Sequence, residues 1–246
     1  MPQITRDKQN KTRNLIVSLS LLVLIVVGST LAYFASRDEA TNRFRASRFD
    51  VLLTETKWDP SSARDVVPGD ELDKNPQVTN LEQTPGYIFL RVTVPCDVQK
   101  VENADGTLLG STDASVPMYK FMVSDGADPP SYSFNSDFSA AQTVKSCWTP
   151  VNTPTAQNLG TAQAPDWQIV YVYAYTYGDT LVSLLEGQTT PALFDKLKLW
   201  NFTEDFNPAQ SHSVRVEALG IQADLPGYTS ADIAGVWALL EEEGGA

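Results

Sequence analysis

The stretch that most clearly indicates the fold class is Tyr87-Ile88-Phe89-Leu90-Arg91-Val92-Thr93-Val94, which Pro95 follows. Its even-numbered residues are all aliphatic, whereas its odd-numbered residues include Arg91 and Thr93. Alternation with period two, in a run rich in β-branched and aromatic residues, is typical of a strand with two different faces. We therefore predict a strand over residues 87–94 within a β fold.

Strand patterns dominate the chain on both sides of this stretch. The same reading predicts strands over residues 49–54, 118–123, 168–177, 181–185, 197–202 and 213–223. Residues 124–166 are rich in Ser, Ala, Thr, Asp and Pro and show little periodicity, so we predict a long loop there and assign the loop as a whole to residues 97–166. Short strands separated by turns, with one terminal helix, predict an all-β, jelly-roll-like β-sandwich.

That terminal helix is predicted from an apolar stripe near the C-terminus. Ile233, Val236, Trp237 and Leu240 recur at helical spacing, after a cap formed by Thr229 and Asp232. Such a stripe favours a helix docked on its own core, and docking on a partner protein is the alternative.

A row of tyrosines is the main candidate for an interaction surface. The alternation within residues 168–177 places Tyr171, Tyr173, Tyr175 and Tyr177 on one face of the strand. Such a row either binds a partner or a polysaccharide, or packs between sheets. The two interpretations stay open at this point.

The N-terminus has the pattern of an export signal. Four basic residues precede an apolar run over residues 15–27, and small residues lead to Ala32. This order predicts cleavage between Ala32 and Tyr33. If the segment is not cut, residues 15–35 are long enough to remain as a membrane anchor. The chain thus divides into a signal helix (1–32), an N-terminal arm (33–48) and a β domain (49–246) that lies outside the cell.

The charge of the mature chain limits its partners. Without residues 1–32, the chain carries 14 basic and 29 acidic residues, for a net charge of −15. Such a charge repels the phosphates of nucleic acids and anionic membrane surfaces. Carboxylates can recruit calcium, but the sequence has no calcium-binding loop of the D-x-[DN]-x-[DN]-G type. Calcium is therefore only a weak expectation, and no other cofactor is expected.

The two cysteines, Cys96 and Cys147, are an even pair in an exported chain. A disulfide between them is therefore expected, with two separate thiols as the alternative.

Four parts of the sequence resemble one known family, the exported proteins whose signal peptides are removed by a SipW-type signal peptidase, or TasA/camelysin family. The parts are residues 28–34 (GSTLAYF); 42–44 (NRF) with 53–55 (LTE) and Trp58; 68–70 (PGD), 74–76 (KNP) and 78–80 (VTN) leading into 87–95; and 214–224 (VRVEALGIQAD). The resemblance reaches both ends of the chain, but the loop at 97–166 has no part in it.

The resemblance implies a jelly roll and a structural role at the cell surface or in the biofilm matrix of a Gram-positive bacterium. It also implies processing by a SipW-type peptidase and self-association or association with other matrix proteins. In such fibres the new N-terminus of one subunit adds a strand to the next. Here that donor is the arm at residues 33–48, with Phe34 and Phe44 as its apolar side chains.

Catalysis is not expected, although the family name camelysin is attached to a metallopeptidase. His212 is the only histidine, and there is no H-E-x-x-H or G-x-S-x-G motif. A hydrolytic zinc site normally needs two or three imidazoles. We predict no catalytic, cofactor-binding or metal-binding residue. A surface module that binds a glycan or a protein is the alternative function, and a camelysin-like metalloendopeptidase is a weaker one.

Overall fold

Strands of very unequal length make up most of the fold. The computed structural model describes residues 49–58, 66–96, 100–102, 108–111, 117–137, 139–201 and 213–244. The predicted signal segment, the arm, and His212 lie outside these residues. The elements are β1 (Val51–Glu55), β2 (Glu71–Asp73), β3 (Pro76–Asn80), β4 (Gly86–Pro95), β5 (Lys100–Glu102), β6 (Leu108–Ser111), β7 (Tyr119–Ser124), β8 (Tyr132–Ser133), β9 (Trp148–Pro150), β10 (Ala156–Asn158), β11 (Trp167–Tyr177), β12 (Thr180–Leu181), β13 (Ser183–Leu184), β14 (Lys196–Leu199), β15 (Arg215–Gln222) and α1 (Ile233–Gly244).

The larger sheet is built around β4, which has long antiparallel partners on both sides. β11 pairs with it from Gln168 opposite Pro95 to Ala174 opposite Phe89. β15 pairs along its other side, over all eight of its residues. Three short strands (β9, β10 and β12) join β11, and β13 joins the beginning of β4.

The smaller sheet has the strand order β2-β14-β7-β8, and all its pairs are antiparallel. Two further pairs, β1 with β3 and β5 with β6, form separate two-stranded ribbons.

The main core lies between these sheets. The aliphatic face of β4 meets side chains of the smaller sheet there, including Phe121 and Leu197. Phe121 packs edge-on against Tyr171 of the larger sheet, with ring centroids 5.7 Å apart. The core therefore holds the two sheets face to face.

The other face of the larger sheet is covered by α1. Val236, Trp237 and Leu240 are buried there against β4, β11 and β15. The Asp232 carboxylate accepts a hydrogen bond from the Gly235 N–H at 3.0 Å, so Asp232 caps the helix. The prediction that this apolar stripe docks on the protein's own core is confirmed.

The prediction of a mostly β chain with a short C-terminal helix is also confirmed. The prediction of a long loop over residues 97–166 is wrong in part, because the described parts of that stretch also contain β5, β6, β8, β9 and β10. These strands are two to four residues long. They are too short to show a hydrophobic period. In the described part of the chain, no helix has both the length and the apolar character that crossing a bilayer requires.

Candidate assembly edges

The predicted tyrosine surface is wrong for most of its residues. The Tyr171 and Tyr173 side chains, 2% and 4% exposed, lie in the main core. Burial raises the pKa of both phenols. Tyr175 is half-buried, with its ring 5.5 Å from that of Trp148, and only Tyr177 is exposed, at 85%. The row packs between sheets because β11 turns this face toward the smaller sheet.

The predicted disulfide is also wrong, because the register places the two cysteines at opposite ends of β11. The Cys96 N–H donates to the Trp167 carbonyl at 2.8 Å, and the Thr176 N–H donates to the Cys147 carbonyl at 2.9 Å. Thr176 lies nine residue steps along the extended strand from Trp167, a distance of about 30 Å. A disulfide needs Cα atoms within about 7 Å of each other.

The described residues contain no cluster of three or more His, Cys, Asp or Glu side chains that could hold a metal ion. The feature of this structure that bears most directly on function is instead the state of its sheet edges. An edge strand presents a row of N–H and C=O groups to which another strand can pair.

β15 forms one edge of the larger sheet. In an antiparallel pair, hydrogen-bonded residues alternate with residues whose backbone groups point away from the partner. The Ala223 N–H donates to the Pro85 carbonyl at 2.9 Å, which fixes the phase of this alternation. The odd-numbered residues of β15 therefore bond to β4. Val216, Ala218, Gly220 and Gln222 direct their backbone groups outward.

This outer edge of β15 is open within the described part of the chain, since no described strand pairs with it. Its charged residues lie near its start, where Glu217 forms an ion pair with Arg91 at 3.6 Å. The following four residues, 218–221, carry no charge. Natural edges are usually protected by charges, proline or a covering segment. β15 has little such protection over 218–221.

β1 lies beside this edge, and it contacts β15 through side chains. A Cβ atom added to Gly220 would lie 2.5 Å from Phe49 Cδ1 and 2.9 Å from Val51 Cγ1. A Cβ atom added to Gly86, on β4, would lie 2.0 Å from Phe49 Cζ. The two glycines thus let the Phe49 ring pack directly on the backbone of the larger sheet. Phe49, the first described residue, therefore lies beside β15.

The outer edge of β11, across the larger sheet from β15, is covered by short strands and a side chain. β9 and β10 cover two parts of β11, and Asn152 fills the gap between them. Its Oδ1 accepts the Val172 N–H at 2.8 Å, and its Nδ2 donates to the Val170 carbonyl at 2.8 Å. One side-chain amide therefore replaces the peptide group of a missing strand.

Gln142 does the same at the outer edge of β7. Its Oε1 accepts the Phe121 N–H at 2.9 Å, and its Nε2 donates to the Tyr119 carbonyl at 3.0 Å. These groups of β7 point away from β14, because the Trp200 N–H donates to the Met118 carbonyl and fixes the phase. Two edges are thus closed by amides, in contrast to the open edge of β15.

Replacing Asn152 by alanine is expected to reduce the free energy of unfolding by about 1–3 kcal/mol, because two backbone groups of β11 lose their partners. Urea denaturation measures this change. Gln157→Ala, at an exposed position of β10, is the matched control and should have an effect near zero. Equal effects of the two substitutions would show that the Asn152 amide does not close this edge.

Sequence reasoning predicted a strand at β15 but not that it forms an open edge. It missed Asn152 and Gln142, because single amides in polar stretches give no sequence signal. No family model, no curated protein and no solved structure matches this chain, so the family resemblance stays a prediction.

Proposed function

We propose that this protein is a non-catalytic structural protein of the cell surface or extracellular matrix that assembles by β-strand pairing. The observation that carries this proposal is the contrast between sheet edges. Side-chain amides complete the closure of the outer edges of β7 and β11, whereas β15 directs the backbone groups of four residues outward and no described strand pairs with them. A strand from another copy would satisfy these groups and extend the larger sheet.

The proposed donor is the arm at residues 33–48. It precedes Phe49 directly, and Phe49 packs on Gly220 and Gly86 beside the open edge. Phe34 and Phe44 supply its apolar side chains. Pairing of the arm with its own domain would give a closed monomer, whereas pairing with a neighbouring copy would give a chain of subunits.

The SipW-dependent family and its jelly roll fit this proposal. Cleavage after Ala32 would create the free N-terminus at Tyr33 that a donor strand requires. The protein would then be secreted and held at the surface by its own assembly. An uncleaved segment would instead tether each copy to the membrane and keep the arm close to it.

The competing proposal, a glycan-binding or protein-binding face made by the tyrosine row, loses its main support. Tyr171 and Tyr173 are buried between the sheets. A ligand could not reach them without separating the sheets.

Comparing two lengths of the chain tests the proposal. We expect a chain that starts at Tyr33 to associate increasingly with concentration in sedimentation velocity, because it has both donor and acceptor. A chain that starts at Phe49 should remain monomeric and should bind a synthetic peptide of residues 33–48 with 1:1 stoichiometry. A peptide of the same composition in scrambled order is the control. A monomeric Tyr33 chain at high concentration, or equal association of both chains, would contradict the proposal.

A further inference from the structure

Lys120, in the middle of β7, is the one lysine among the fully buried side chains of the described residues. Its Nζ donates to the Ser139 carbonyl at 2.6 Å and to the Ala141 carbonyl at 3.1 Å. The same Nζ lies 5.6 Å from the centroid of the Trp200 ring. A buried ammonium carries a large desolvation cost unless it is well bonded. These contacts therefore tie Lys120 to the segment at 139–142.

This segment, 139–142, also contacts both sheets. Gln142 closes the edge of β7 through Tyr119 and Phe121, as described above. Tyr171, from the larger sheet, donates its hydroxyl proton to the Ala140 carbonyl at 2.6 Å and lies 3.2 Å from Gln142 Nε2. If the segment moved away, Lys120 would meet water and the outward groups of Tyr119 and Phe121 would lose their partner.

Three ionisable groups belong to the elements that contact Lys120 or adjoin the segment at 139–142. Lys198 stands opposite it in the register and is paired with Glu71 at 3.2 Å. The Asp137 carboxylate precedes the segment, and the Ser139 hydroxyl and N–H lower its pKa. The Tyr171 phenol remains protonated, because burial raises its pKa.

Burial lowers the pKa of Lys120 to about 8, and the nearby Asp137 carboxylate opposes this shift only in part. In the open state the solvated lysine would return to its ordinary pKa of about 10.4. At pH values between these two pKa values, the closed state therefore binds fewer protons than the open state. By linkage, closure becomes more favourable as the pH rises from about 8 to about 10 and less favourable as it falls.

We propose that the segment at 139–142 is a latch over the outer edge of β7, and that Lys120 makes its opening sensitive to pH. Opening uncovers the backbone N–H of Phe121 and the carbonyl of Tyr119, and so creates a second open edge in the smaller sheet. The latch is independent of strand pairing at β15, because it involves a different sheet. The experiment below can therefore contradict the latch without contradicting strand pairing at β15.

Hydrogen exchange of the Phe121 amide tests the latch. Exchange rates of the mature chain are measured at pH 7, 8, 9 and 10 and corrected for the intrinsic pH dependence of exchange. We expect the opening equilibrium constant to fall on the order of 30-fold between pH 8 and pH 10. The Val172 amide, held by Asn152 at the other closed edge, is the internal control and should show no such change.

Two variants assign the effect to Lys120. Lys120→Met removes the titrating group and should make the opening of the Phe121 amide independent of pH. Asp137→Asn, at an exposed site, removes the carboxylate that favours the ammonium and should shift the transition to lower pH. The proposal would be overturned if the protection of the Phe121 amide did not vary with pH in the natural chain. It would also be overturned if Lys120→Met showed the same pH response, or if the transition of Asp137→Asn were not shifted.

Discussion

Replacing Ala218 by proline is expected to prevent assembly while the domain stays folded. Ala218 directs its N–H outward from β15, so proline removes a hydrogen bond to an incoming strand and none to β4. The proline ring also occupies the space in which a new strand would lie, and proline is tolerated on edge strands. We expect association, measured by sedimentation velocity and electron microscopy, to weaken by at least about tenfold.

Ala218→Ser is the matched control, because serine keeps the N–H and nearly the same volume. Circular dichroism and urea denaturation show whether each variant is folded. Val216→Pro, at the next outward position toward the start of β15, repeats the test if proline at 218 disturbs the packing against β1. Assembly that is equally strong in both folded proline variants and in the serine control would show that β15 is not the acceptor.

Replacing Trp237 by alanine is expected to have the largest effect on stability, about 3–5 kcal/mol. The Trp237 ring is buried against the larger sheet, with its centroid 5.4 Å from that of Phe89 and 5.4 Å from Arg91 Cζ. A helix of 12 residues is marginal in water by itself, so α1 depends on this contact. Urea denaturation measures the loss, and helical circular dichroism should fall in the same transition.

Glu242→Ala, on the exposed side of α1, is the control and should change the free energy of unfolding by less than about 0.5 kcal/mol. A Trp237→Ala effect as small as that of the control would mean that α1 is not needed to cover the larger sheet. The face of Phe89 and Val172 would then have to be covered by another part of the chain.

Hydrophobic period was sufficient to predict the long elements. β4, β11 and β15 alternate over eight or more residues, and α1 has a continuous apolar stripe. β2 and β3 were missed because they are short and lie around the polar residues Lys74 and Asn75. Their stability comes from tertiary contacts, such as the ion pair of Lys74 with Glu55 at 2.7 Å. Local sequence carries little information about such contacts.

The candidate edges could not be predicted from the sequence, because an edge is open or closed according to which strands become neighbours. The alternation correctly placed four tyrosines on one face of β11. However, it could not show that the smaller sheet would cover Tyr171 and Tyr173. The separation of Cys96 from Cys147 likewise follows from the register of β11 with its neighbours. Side chains that replace a strand, such as Asn152, depend on the same register.

Amide hydrogen exchange along β15 tests strand pairing at this edge most directly. The odd-numbered amides, Glu217, Leu219 and Ile221, bond to β4 and should be protected in both the monomer and the assembly. The outward amides of Val216, Ala218 and Gly220 should exchange rapidly in the monomer that starts at Phe49 and become protected when the Tyr33 chain assembles. Assemblies in which these outward amides still exchange as rapidly as in the monomer would contradict the account.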